Sequence, residues 1–411
     1  MSKLIAYLNN NINKLIIFSK IMKKIPLSEK FKIGLVKTAK DFIQLSYYLL
    51  WILFDPRKFT IIKKDKIKNI LVICGGAIGD IYNVIGVINS VVAKYKVNVY
   101  VLTYEKNKDF IKNNKIKYAN LKESKEMIDA KKIDAAVLID PARERKIFDG
   151  ELFLKLLKVP YVVSSDSIKL HPHKFMRQRF PIFATRKIYP IRANGPKTFV
   201  NLFNILSLKI DKPSFYFTKE GENFSKTFMK KNNISKKNNL VIVHPGAGKI
   251  TKALKEGKPP AHLWPEERWA KLIDKILKDK ETKIVITGVN SEEIITKKIY
   301  NMIGDKKRVV YAVGKIPDIE SLASLVKRAD ATVTPDTSMA HISSHVETPA
   351  VILYSSASPG RVGPVSTKNL NIYHKDKAHD CRKYACKYCY EIHMKSISVN
   401  EIYSALKKIM H

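Results

Sequence analysis

A chain of 411 residues with 45% hydrophobic side chains is long enough for two or three fully cored domains and too apolar to be disordered. Its 75 Lys and Arg against 37 Asp and Glu give a net charge of +38, which draws it to anionic membranes or phosphorylated substrates. The lysines run along the whole chain without an aromatic-rich RNA-binding signature, so nucleic acid is not an expected partner. Four cysteines make no disulfide framework and point to a reducing compartment.

The first 68 residues read as a basic helical prefix. Leu4, Leu8, Ile12, Leu15, Ile16 and Met22 recur at helical spacing among lysines, and the apolar run Phe42–Phe54 is shorter than the roughly 20 residues a membrane span needs. Lysines beside an aromatic-rich apolar segment suit an anchor lying on a membrane surface; a helix packed on the next domain fits equally well. No cleavable signal pattern precedes it, which is an expectation against secretion.

From Ile70 the pattern alternates between β-branched runs and helical segments: Ile70–Cys74, Ile81–Lys94, Val97–Leu102, Ala135–Ile139 and Tyr161–Val163. That is the signature of a mostly parallel sheet covered by helices. A break at Ser207–Glu222 precedes a second set, from Leu240–Val243 through Trp264–Leu277, Lys283–Thr287, Ser291–Ile303, Val309–Val313, Ile319–Arg328, Ala331–Thr334 and Met339–Val346 to Ala350–Tyr354. The expected division is a prefix (1–68), a first Rossmann-like α/β domain (69–215), a second (216–396) and a last helix (397–411) packing back toward the first domain. Two such domains would face a cleft where the carboxyl ends of their strands meet.

The turn Cys74-Gly75-Gly76-Ala77-Ile78-Gly79-Asp80 would be a dinucleotide fingerprint if Cys74 were glycine. It ends instead in a carboxylate, Asp80, which competes with phosphate for the positive end of a helix. The turn is thus better suited to a base than to a pyrophosphate. In the second set, the loop His244-Pro245-Gly246-Ala247-Gly248-Lys249 follows a strand and offers small residues, N–H groups and a lysine, as a phosphate cradle does. Thr287-Gly288 and Gly314 end two further strands. Between a strand and a helix lies Thr334-Pro335-Asp336-Thr337-Ser338-Met339-Ala340-His341. Asp336 serves there as a helix N-cap without any ligand, but Thr337, Ser338 and His341 add hydroxyls, an imidazole and free N–H groups fit for a diphosphate.

Taken together, the Gly-Ala-Ile-Gly-Asp turn, the His-Pro-Gly-Ala loop, the Trp264-Pro-Glu-Glu-Arg-Trp269 helix start and Asp336-Thr-Ser-Met-Ala-His341 followed by Pro349 resemble glycosyltransferase family 9, which includes the ADP-heptose:lipopolysaccharide heptosyltransferases. The resemblance runs in order from about Ile70 to the C-terminus and leaves the prefix outside. It implies an α/β GT-B fold of two Rossmann-like domains, acceptor on the first and nucleotide sugar on the second. It also implies inverting transfer, with no metal or other cofactor required. Asp80 would be the general base. The donor would meet His244, Gly246, Ala247, Gly248 and Lys249, with its base and ribose near Thr287, Gly288 and Gly314. Asp336, Thr337, Ser338 and His341 would hold the leaving diphosphate, the helix N-terminus and imidazole stabilising its developing charge. Two positions depart from the pattern: His262 stands where a lysine is common, and Ser338 where glycine is usual. Lys249, Lys252, Lys255 or Lys258 could supply the missing charge.

On the acceptor side stand Gly76 and Gly79, Arg143 after the Ala135–Ile139 run, and Arg177 and Arg179 in the basic stretch His171–Arg179. These arginines suit acidic sugar or phosphate groups, or a solvated loop. Cys381, Cys386, Cys389 and His393 have the residue types of a structural zinc site, against reduced thiols with no metal. The expected whole is a bacterial enzyme on the inner face of the cytoplasmic membrane. It would move a heptose or similar sugar from a nucleotide diphosphate to a lipid-linked anionic saccharide. A dinucleotide-using oxidoreductase or epimerase is the rival enzyme, disfavoured by Cys74 and Asp80. A basic surface protein that kept only the GT-B shell is the non-enzymatic rival.

Overall fold

The computed structural model describes residues 64–75, 78–111, 116–139, 152, 155–156, 158–165, 186–188, 195–211, 213, 217–246, 253, 256–257, 261–355, 357–364, 366, 368–374 and 386–410. The expected prefix lies outside them, apart from residues 64–68 at the entry to the first strand.

The first sheet is built from β1 (Asn69–Cys74), β2 (Asn98–Leu102), β3 (Ile116–Ala119), β4 (Ala135–Ile139), β5 (Tyr161–Ser165) and β6 (Arg186–Ile188) in the order β3-β2-β1-β4-β5-β6. All its pairings are parallel. Strand β1 is central, and Ile70 to Cys74 are buried, as a strand covered on both faces requires. Helices α1 (Ile78–Lys94), α2 (Leu121–Asp129) and α3 (Gly195–Ile205) belong to this half. Helix α1 begins at the turn after β1 and lays Ile81, Val84, Ile85, Ile88 and Val91 into one core with α3.

Helix α4 (Lys219–Lys231) leads to a second sheet of β7 (Asn239–Val243), β8 (Thr282–Ile286), β9 (Val309–Tyr311), β10 (Ala331–Pro335), β11 (Ala350–Tyr354) and β12 (Asn369–Tyr373), ordered β12-β11-β10-β7-β8-β9. Numbered from its own first strand, each sheet reads 3-2-1-4-5-6. That order reverses direction between its first and fourth strands, β1 and β4 in one sheet and β7 and β10 in the other, and a crevice opens there beyond the strand ends. The crossovers are α5 (Glu266–Ile276), α6 (Glu293–Met302), α7 (Ile319–Val326), α8 (Ser338–His345) and the single turn α9 (Pro359–Val362).

The last helix, α10 (Val399–Met410), corrects an expectation. Among the described residues its Ile402, Ala405 and Leu406 lie in the core of the second sheet with Trp269, Leu272 and Val351, where packing toward the first was expected. The cause is the Trp264–Trp269 segment. Trp264 Nε1 donates to Ile397 O at 3.0 Å and Arg268 Nη1 to the same oxygen at 2.6 Å. The two indoles meet edge to face, 5.0 Å apart. This segment therefore moors the chain's end to α5.

Candidate functional site

Four turns at the carboxyl edge of the second sheet are laced into one rim. The turn after β7 begins with His244, whose N–H donates to Val333 O of β10 at 3.0 Å, while Thr287 N–H after β8 donates to Val243 O at 3.0 Å. Gly314, beyond β9, donates to Gly288 O at 3.0 Å. His244, Gly246, Thr287, Gly288 and Gly314, chosen from sequence as one group, thus stand side by side. The fourth turn, Asp336-Thr337, lies across the switch point from His244.

His244 is buried, and its Nδ1 pairs with Thr287 Oγ1 at 3.1 Å. Burial holds its pKa below the ordinary histidine value, partly opposed by the Glu292 carboxylate. Its ring therefore ties two turns together as a neutral group. Glu292 went unnoticed in the sequence because it opens a helix among acidic residues and reads as ordinary first-turn chemistry. In the fold it is 5% exposed, its Oε2 accepts from Val289 N–H at 3.0 Å, and its carboxyl fills the space beside Gly246 and Gly288. A Cβ on Gly246 would overlap that carboxyl. Glycine there is a condition for the carboxylate's position.

At the fourth turn the N-cap is Thr337, not Asp336 as expected. The helix starts one residue late because Asp336 is still tied to the sheet, its N–H donating to Leu353 O at 2.9 Å. Thr337 makes no side-chain capping bond, and its Oγ1 pairs instead with Thr334 Oγ1 at 3.1 Å. The positive end of α8 therefore lacks a side-chain cap from its N-cap residue and is flanked by partly exposed Asp336, Thr337 and Ser338. Burial lowers His341 to a pKa of about 4, and its Nδ1 is shielded from solvent with no hydrogen-bond partner. The ring is therefore neutral near pH 7. His262, at the position where a lysine was looked for, bonds Ser355 Oγ through Nδ1 at 2.9 Å.

Asp80 and Gly79 lie in the first turn of α1, beyond the carboxyl end of β1. Gly76, Ala247, Gly248, Lys249, Arg143, Arg177, Arg179 and Cys381 lie outside the described residues. Cys389 and Cys386 pack against Ala261, whereas His393 turns its Nδ1 to His374 O at 2.9 Å. Among the described residues no three His, Cys, Asp or Glu side chains converge as a ligand set for a metal ion.

Residues 196–390 match the sequence profile of glycosyltransferase family 9 (heptosyltransferase). No curated protein sequence matches the chain. Among solved structures, a family 9 glycosyltransferase from Veillonella parvula DSM 2008 is 16% identical, covering 84% of this chain and 97% of its own, with a TM-score of 0.62. The Escherichia coli ADP-heptose LPS heptosyltransferase II is 15% identical over 83% of this chain and 98% of its own, with a TM-score of 0.59. The E. coli heptosyltransferase WaaC, solved with ADP, is 15% identical over 83% and 99%, with a TM-score of 0.55. At these identities the likeness establishes the fold, two facing Rossmann-like units of the GT-B type.

Proposed function

We infer that this chain, a family 9 glycosyltransferase by its residues 196–390, moves a heptose or closely related sugar from a nucleotide diphosphate, ADP-heptose first among candidates, to an anionic saccharide acceptor. The observation that carries this reading is the pairing of two helix starts. Helix α8 opens at the second sheet's switch point with an N-terminus that its N-cap side chain leaves free and with three partly exposed polar residues, a seat for a diphosphate. Helix α1 opens beyond the first sheet with a carboxylate in its first turn. The acceptor hydroxyl gives its proton to Asp80 while its oxygen bonds the anomeric carbon, and the nucleoside diphosphate leaves with the electron pair of the broken C–O bond. Helix dipole, hydroxyls and the His341 N–H then meet the charge gathering on the leaving group. Direct attack by the acceptor oxygen, with Asp80 as base and no covalent sugar–enzyme intermediate, is a single displacement, which inverts the anomeric centre. The neighbours described with ADP or as ADP-heptose enzymes support adenine as the base.

Glu292 extends the donor side. A buried carboxylate between two glycine turns is a hydrogen-bond acceptor waiting for hydroxyls, and a ribose diol supplies two. Gly246→Ala is expected to push that carboxyl aside and weaken ADP binding about tenfold, or ~1.4 kcal/mol. Calorimetric titration with ADP checks this, and unchanged affinity removes Glu292 from the donor site.

The test of the function itself is nucleotide release from a panel of ADP-, GDP- and UDP-sugars with a deacylated lipopolysaccharide core as acceptor. Release with ADP-heptose that depends on acceptor is the expected result; no release with any donor sinks the reading. The peripheral placement, on the inner face of the cytoplasmic membrane, rests on the +38 charge and the apolar, lysine-rich prefix. The same preparation should co-sediment with anionic vesicles and leave them in high salt. Failure to co-sediment at low salt rejects that placement.

A further inference from the structure

The two helices whose starts form the site also touch each other, and at one well-defined place. The Tyr82 ring of α1 stacks on the His345 ring of α8, with centroids 5.2 Å apart and planes inclined by 25°. Tyr82 is 2% exposed and sits in a core built from the other half of the molecule, with Met339, Ile342 and Val346. One turn further along α1, Gly86 leaves the space into which His345 fits. A Cβ there would stand 2.7 Å from the His345 ring and 3.3 Å from Pro213, in the segment joining the two halves. Both His345 ring nitrogens are shielded from solvent and have no hydrogen-bond partner. The imidazole thus behaves as a flat wedge held by shape between Tyr82, Gly86 and the connecting segment.

The position of this wedge matters for transfer. With 1.5 Å of rise per residue, Tyr82 lies about 3 Å along α1 from Asp80, and His345 about 10 Å along α8 from Ser338. Both spans are short and helical, so the contact sets how far the base at one helix start stands from the leaving-group seat at the other. Misplacing reacting groups by about an ångström can cost on the order of a hundredfold in rate. We propose that Tyr82, Gly86 and His345 form a register pin between the two halves, positioning residues that hold the first turn of α1 at the reacting distance from the N-terminus of α8. The proposal rests on the transferase reading for its catalytic consequence and on the packing alone for the pin.

The experiment compares Gly86→Ala, His345→Ala and His345→Phe in the full-length protein. Gly86→Ala and His345→Ala should lower kcat tenfold or more while the Kd for ADP stays within twofold, because ADP is seated on the second half alone. His345→Phe, which keeps the flat ring, should return kcat to within threefold of wild type. Deuterium exchange read by mass spectrometry should quicken in the peptides spanning Tyr82–Ser90 and Ser338–Val346 of the first two variants only. Full kcat in a folded Gly86→Ala, or an ADP Kd that weakens in step with kcat, overturns the pin. If the wild type turns over no nucleotide sugar, the transferase reading fails by itself. Exchange then decides the pin, with faster exchange at both helices supporting it and unchanged exchange overturning it.

Discussion

Asp80→Asn is expected to bind ADP within about twofold of wild type and to lose transfer by a hundredfold or more, the scale of a missing general base. The substitution conserves size and can still hydrogen-bond, so α1 keeps its place after β1. What it removes is the ability to accept a proton, and with it the charge at the helix start. The measurements are kcat from nucleotide release and Kd from calorimetry on the same preparation. A split, with kcat lost and Kd kept, assigns Asp80 to the chemical step. Turnover retained at a tenth of wild type or better strips it of that role, and a parallel loss of ADP binding would place it on the donor side instead.

How far the residues announced this arrangement differs from element to element. The buried strands β1, β4, β7 and β11 are almost wholly apolar runs, and a parallel sheet leaves that trace because both its faces are covered. The outer strands left less. Strand β12, Asn369–Tyr373, is only partly buried along its whole length, and β3 is four residues long with an exposed position in it; neither shows an apolar run. The rim of turns after β7, β8 and β9 was legible because glycines recur at strand ends, yet Glu292 was hidden by lying in a helical first turn, where acidic residues are common for local reasons. The N-cap at Thr337 was one residue off because hydrogen bonding between the β10 end and β11 holds Asp336 in the sheet. No local pattern carries that tertiary bond. The same holds for α10, whose docking depends on Trp264 and Arg268 reaching Ile397 across the sequence, and for the Tyr82–His345 stack, which joins residues from two halves that look independent along the chain.

The second large effect expected is on stability in mild acid. His341 and His345 are held by burial at pKa values of about 4 and about 3, the latter pushed further by the neighbouring His341, against an ordinary value near 6.5. Between those limits the unfolded chain binds protons that the folded chain refuses. Stability therefore rises with pH across the window, is fully present above about pH 6.5, and is lost as pH falls toward the folded values. Each histidine contributes about 1.4 kcal/mol per pH unit within the window, which over two or three units is a large part of a typical stability of about 5–15 kcal/mol. His244, also lowered by burial, acts in the same direction. Asp129, Asp279 and Asp305 have lowered values too, but carboxylates lose their contribution below about pH 4, so the interval from pH 6.5 to 5 isolates the histidines. Across that interval His345→Phe should lose about 2 kcal/mol less than wild type, read from urea midpoints at both pH values with an unchanged m-value. Equal slopes in the two proteins would mean that His345 titrates normally and that the wedge between α1 and α8 opens to water.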